Sequence, residues 1–358
     1  SPKQLFKQEK IFEILTALLS SSDPAVSSGA LTAIENWKFV EINDSMSILN
    51  AFVSETNFRE ALTKFEWSSV PSLHQEKLVK IITRVLFGKL KANNKKGSKK
   101  SRDTVGGRRN AVVAFFTNFT TKQVEPLLFL MLRQFDDSNE SENLQDVESS
   151  IKRSPPSLST IATSRLMGFL HLLENLIDKL GNKVSHSLPT FLNLTLAILD
   201  HATSEECKKS DSKSLRAQSY KCLVAFLGLK NLSGDKNAKA SLWKSLESGV
   251  NDLPVVIENQ ESKNDASGLL LLLVCMSRND INLLTDVQVV SVLNCLSPAA
   301  NEKSLDAVLS FVRNLLEDEE DGVSLMKNQV DLLVTQCVAL VESGASEGKL
   351  HSRVLNIL

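Results

Sequence analysis

Apolar residues along this chain recur at helical spacing almost everywhere. Leu166, Phe169, Leu170, Leu173, Leu176, Ile177 and Leu180 advance by steps of three and one, which draws one broad apolar face on a helix. Leu305, Val308, Leu309, Val312, Leu315 and Leu316 repeat the pattern, and Met326, Val330, Leu333, Cys337 and Leu340 alternate steps of four and three. Ile82, Val85, Leu86 and Leu90 mark a further helix that starts near Ser72 or Leu73. Breakers fall between the stripes. Asp23-Pro24 closes the first helix, Ser154-Pro155-Pro156 precedes the one bearing Leu166, and Gly181-Asn182 follows Leu180 as a stop. Pro189 suits the first turn of a helix through Phe191 and Leu199, because a first-turn proline gives up no intrahelical bond. Asp321-Gly322 separates the last two long helices. No stretch alternates cleanly between apolar and polar residues, so strands are not expected.

The pattern predicts roughly fourteen helices joined mostly by short turns, in an all-α chain. An amphipathic helix cannot bury its face alone, so neighbours must stack. A bundle and an α-solenoid both satisfy this; so many consecutive helices with separate faces favour the solenoid. Leu15, Leu18, Leu19, Ser22, Asp23, Pro24, Val26, Ala30, Leu31 and Ile34 resemble a HEAT repeat: two antiparallel helices around an Asp-Pro turn, with a valine and an alanine on the second. The chain stops on the apolar run Val354-Leu355-Asn356-Ile357-Leu358, which suggests a fragment of a longer array.

Polar stretches interrupt the stripes. The expected layout is helical repeats over residues 1–90, a basic flexible linker over 91–107, a helical hairpin over 108–135, an acidic and proline-rich disordered insertion over 136–158, and further repeats over 159–358. A short mixed insertion is expected at Ser204 to Ser214. Asn251-Asp252 and Pro254 predict a short helix and then a loop between Trp243 and Glu261.

Composition adds little except by exclusion. Hydrophobic residues make up 42% and charged residues 23%, as in a folded chain. The cysteines Cys207, Cys222, Cys275, Cys295 and Cys337 form no C-x-x-C pair, so neither a disulfide framework nor a zinc knuckle is expected. The longest apolar run, Leu269 to Met276, is too short to span a bilayer. His74, His171, His186, His201 and His351 are scattered, and His201 with Cys207 makes no closed metal site. Glu317 to Asp321 is a run of acids without the spacing of a calcium loop; at a helix C-terminus it opposes the dipole and suggests fraying or a basic partner. Gly97-Ser98-Lys99-Lys100-Ser101 lacks the further glycine of a phosphate loop, and no G-x-S-x-G exists. No catalytic residue, metal, cofactor or small-molecule substrate is expected.

One charge feature stands out. From Lys77 to Arg109 there are twelve lysines and arginines against the single acid Asp103, a net of +11 in a chain of formal net charge -1. Such a tract reads as a solvated loop, as a nuclear-targeting signal or as a contact for phosphates. No aromatic residue lies between Lys89 and Arg109, so backbone contact without base stacking is the form expected. An acidic protein surface is the substitute partner. The candidate contact residues are Lys89, Lys91, Lys95, Lys96, Lys99, Lys100, Arg102, Arg108 and Arg109. Arg108 and Arg109 abut the apolar helix through Val112, Val113, Phe115, Phe116 and Phe119, so they suit fixed bidentate contacts where the lysines suit diffuse ones.

The order of these motifs carries a family resemblance. A helix ends Ile82-Thr83-Arg84-Val85-Leu86-Phe87-Gly88-Lys89-Leu90, and a lysine-rich linker follows. Gly107-Arg108-Arg109-Asn110-Ala111-Val112-Val113-Ala114-Phe115-Phe116 then leads to a helix with Glu125, Pro126, Leu127, Phe129, Leu130 and Leu132. Upstream, Phe58-Arg59-Glu60-Ala61-Leu62-Thr63-Lys64-Phe65 fits the same frame. This resembles the middle region of the down-regulated-in-metastasis family, the very large HEAT-repeat component twenty of the small-subunit processome. The resemblance is clearest from Phe12 to Leu199. It implies a non-enzymatic scaffold of the nucleolus and the 90S pre-ribosome, needed for 18S ribosomal RNA, whose partners are processome proteins and the phosphates of pre-rRNA or snoRNA. The competing reading is a protein-only adaptor or karyopherin-like solenoid.

Overall fold

The computed structural model describes residues 6–54, 58–91, 100–137, 141–205, 207–229, 234–258 and 265–344, with Ser352 and Val354; for residues 100–105 it describes the backbone. These residues are helical or irregular, with no strand among them. The chain divides into two compact units, one of residues 1–157 and 171–190, the other of residues 158–170 and 191–358.

The first unit opens with α1 (Gln8–Leu18) and α2 (Pro24–Glu35). The turn between them is built from the sequence signal: Asp23 Oδ1 accepts the Ala25 N–H at 2.9 Å, and Pro24 occupies the first turn. Next come α3 (Val40–Asn43), α4 (Met46–Val53), α5 (Phe58–Lys64), α6 (Ser72–Lys91), α7 (Lys100–Phe116), α8 (Thr121–Leu132) and α9 (Leu144–Arg153). Alternate helices stack in rows: α2 on α4, α4 on α6, α6 on α8, and beside them α5 on α7. This is the helix-pair arrangement of a HEAT-like α-solenoid. Helix α8 starts with a capping box in which Thr120 and Gln123 satisfy each other's backbone N–H.

Two helices run through both units. Helix α10 (Thr163–Leu180) gives residues 163–170 to the second unit and 171–180 to the first, and α11 (Leu188–Thr203) divides at Thr190. The second unit continues with α12 (Lys209–Leu227), α13 (Lys236–Glu258), α14 (Gly268–Asn279), α15 (Asp286–Leu293), α16 (Glu302–Glu317), α17 (Asp321–Lys327) and α18 (Val330–Glu342). Its rows are α12, α14 and α16 on one side and α13, α15, α17 and α18 on the other. Buried leucines, valines and phenylalanines hold the rows together, each fully buried side chain contributing about 1.5–3 kcal/mol.

Several expected loops are helices. The region 136–158, expected to be disordered, contains α9: Asn143 caps it by accepting the Asp146 N–H at 3.0 Å, and Leu144, Val147 and Ile151 are buried along one side. Helix α13 continues through Pro254 rather than ending in a loop, because Leu242, Leu246, Val250, Leu253 and Ile257 form one unbroken buried stripe. Helix α12 starts at Lys209, inside the expected insertion, and α7 starts at Lys100, inside the expected linker. The acidic run changes role as well. Only Glu317 belongs to α16; Asp318 Oδ1 accepts the Gly322 N–H at 2.9 Å, and Asp321 opens α17. Those carboxylates precede a helix N-terminus, where the dipole favours them.

Candidate nucleic-acid interface

The described residues of the basic tract lie on α6 and α7, which pack against each other. An aromatic cluster fixes α7 there. Phe115 sits 5.7 Å from Phe52, 6.0 Å from Phe65 and 5.2 Å from Phe119 by ring centroid, and Trp67 lies 4.4 Å from Phe119. Trp67 Nε1 donates to Gln123 Oε1 at 3.2 Å, and Gln123 Nε2 donates to Gln75 Oε1 at 2.9 Å, which satisfies the polar edge of the cluster. The end of α7 is held from far along the chain: Lys183 Nζ donates to the Phe119 carbonyl at 2.6 Å and to the Thr117 carbonyl. A cation on the last carbonyls of a helix is favoured by the dipole.

The sequence-derived contact residues do not share one environment. Lys89 is a correction: it is only 7% exposed, its ammonium donates to the Val53 carbonyl, and it stands 5.9 Å from the Phe58 ring centroid. A buried ammonium bound in this way joins α4, α5 and α6 and is withheld from phosphates. Replacing Lys89 by alanine is expected to cost about 1–3 kcal/mol by chemical denaturation, through the stranded carbonyl, while leaving any RNA affinity unchanged. A fall in RNA affinity with full stability would reverse this assignment.

Lys91 closes α6 with its Nζ 4.5 Å from the Phe87 ring centroid. Lys95, Lys96 and Lys99 lie outside the described residues. Lys100 and Arg102 lie on the first turns of α7. Arg108 and Arg109 follow on the same helix and are both partly exposed. Burial pushes the Arg109 guanidinium below its ordinary value, though an arginine stays charged. Arg59 of α5, absent from the sequence-derived set, joins this region: a Cβ at Gly107 would stand 2.5 Å from Arg59 Nη2, so the missing side chain admits the guanidinium against α7. In the sequence, only the Gly106-Gly107 pair signals this close approach.

Among the described side chains, Lys91, Arg108 and Arg109 lie on the two helices, with Arg59 against α7. Among the described residues no group of three or more His, Cys, Asp or Glu could hold a metal ion, and no helix is long and apolar enough to cross a membrane. The five cysteines are free thiols, and burial beside Glu258 pushes the Cys295 thiol up to about 12, which leaves it unreactive.

The family model described as U3 small nucleolar RNA-associated protein 20, N-terminal, matches residues 1–358. The chain belongs to this family. The matching model is that of the N-terminal region, where the motif resemblance pointed to the middle. A relative in Schizosaccharomyces pombe, U3 small nucleolar RNA-associated protein 20, is 21% identical over 238 residues. The alignment covers 63% of this chain and 9% of that protein, so the chain corresponds to a small part of its relative.

Proposed function

We propose that this family segment is a non-enzymatic scaffold within a nucleolar pre-ribosomal particle, the small-subunit processome. In this reading it supports 18S rRNA maturation by holding processome proteins and pre-rRNA or snoRNA together. The observation that carries the reading is the match along the whole chain to a family named for its association with U3 small nucleolar RNA. The stacked helix pairs supply extended side-chain surface for partners, and the basic tract supplies charge for phosphates. Lys91, Lys95, Lys96, Lys99, Lys100 and Arg102 act as a diffuse phosphate tether. Arg108 and Arg109, on a helix fixed by Phe115 and Phe119, act as the ordered anchor.

The two groups separate in a filter-binding salt titration. Changing Lys91, Lys95, Lys96, Lys99 and Lys100 to glutamine is expected to weaken binding equally for every RNA sequence and to lower the salt slope by about 0.7 for each phosphate that is no longer neutralised. Changing Arg108 and Arg109 to alanine should cost more per residue and should impair recovery with pre-ribosomes while free RNA still binds. A lysine variant with its full salt slope would defeat the tether, and an arginine variant that enters particles normally would defeat the anchor. No RNA binding by the wild-type chain at low salt would return the protein-only adaptor.

A further inference from the structure

Helix α18 presents an apolar stripe to solvent. Val330, Val334 and Val338 follow one another at four-residue spacing and are 49, 42 and 42% exposed. Helical spacing sets the buried Leu333, Cys337 and Leu340 along one edge of this stripe and the exposed Asp331 and Glu342 along the other. Val287 of α15, which packs on α18, is exposed too. Val354, beyond α18 in the chain, is fully buried and yet leaves the stripe open. Valine is a costly choice for such a face, because its branched Cβ loses rotamer freedom in a helix and gains nothing from water.

Charge around the stripe has one sign. From Asp318 to Glu342, all of them described residues, there are six acids against the single base Lys327, a net of -5. Glu317, just before them, is met by Arg313 at 3.5 Å, whereas no ion pair takes up any of the six among the described residues. This charge decides between occupants. Phosphate backbones and anionic surfaces are repelled. A second copy seated symmetrically on the same face would set Asp331 and Glu342 against acids of its own. The chain's own basic tract has no apolar side chain other than Ala92 between Lys91 and Asp103, so it would leave the valines uncovered. A helix face offers no sheet edge to an added strand, but its ridge of residues four apart takes the ridge of another helix.

We infer that the valine stripe of α18 is a docking surface for an amphipathic helix of a partner protein, whose apolar ridge covers the valines and whose flanking lysines or arginines meet Asp331 and Glu342. This goes beyond the reading above: it needs no RNA contact and stands if that contact fails.

The test is fluorescence anisotropy of the full chain with a labelled model helix that carries a leucine ridge between lysine flanks. Its controls are the same ridge between glutamates and the same lysines around a serine ridge. Only the first helix is expected to bind, and Val334→Ser with Val338→Ser should weaken it roughly tenfold. Both valines are exposed and serine has a similar helix propensity, so this variant should fold. If it does not, Asp331→Lys with Glu342→Lys carries the test, and should move the preference from the lysine-flanked helix to the glutamate-flanked one. Equal binding of the serine-ridge helix, or a valine variant that binds as wild type, would reduce the contact to bulk charge and overturn the docking surface. So would failure of the wild-type chain to bind the first helix. A concentration-dependent dimer in sedimentation that the valine substitutions abolish would give the stripe to a second copy and overturn it as well.

Discussion

Alanine at Phe115 is expected to lower the stability of the first unit by about 3–5 kcal/mol, the largest single-residue effect in the basic region. Phe115 is 4% exposed, and its ring is shared among Phe52, Phe65, Phe116 and Phe119. Removing it leaves a cavity walled by other rings, which cannot all shift without breaking the Trp67–Gln123–Gln75 hydrogen bonds beside them. The same loss releases α7, so Arg108 and Arg109 lose their fixed stem. Phe6, 84% exposed, is the control: alanine there should change stability by no more than about 0.5 kcal/mol. Urea denaturation of both variants, followed by tryptophan fluorescence because Trp67 sits in the cluster, measures the difference. A cost at Phe115 below about 1 kcal/mol would mean the cluster repacks freely.

Leucine at Gly88 should be comparably damaging, at about 2–3 kcal/mol, although leucine is the better helix former by nearly 1 kcal/mol. A Cβ at this position would stand 2.5 Å from the Ser21 carbonyl oxygen and 3.0 Å from that of Leu19. Both obstacles are backbone atoms in the turn between α1 and α2, so no rotamer change clears them. The first helix pair must back away from α6 or the substitution cannot be housed. Gly106 provides the opposite sign: nothing lies within 4 Å of an added Cβ, and alanine there should stabilise α7 by about 0.5–1 kcal/mol. Thermal melts of the two variants should move in opposite directions, and a neutral or stabilising Gly88 variant would contradict the close approach.

The features legible in the sequence are those decided by a few adjacent residues. Asp23-Pro24 announces its own turn, and Ser72 begins α6 where the stripe places it. What escapes depends on reading spacing through a misleading composition. The acids of region 136–158 obscure Leu144, Val147 and Ile151, which are spaced three and four apart and bury α9. Pro254 suggests a break, yet the buried stripe of α13 runs past it. Lys89 reads with its charged neighbours, although Ile82, Val85 and Leu86 put it on the buried side of α6. The candidate interface shows the other limit. Arg59 is one basic residue outside the basic tract, and only the packing of α5 on α7 brings its guanidinium against Gly107. Such pairings belong to packing, and no local window contains them.

The discontinuity of the first unit bears on the order in which the chain matures on the ribosome. Translation delivers residues 1–157 first, but this unit also needs residues 171–190, including Lys183, whose ammonium closes the end of α7. Residues 158–170, the opening of the second unit, are therefore synthesised before the first unit is complete. Until Lys183 emerges, the carbonyls of Thr117 and Phe119 depend on solvent, and the basic helix is held at one end less firmly. A nascent chain halted at residue 157 should thus expose α7 to protease, and one halted beyond residue 190 should protect it.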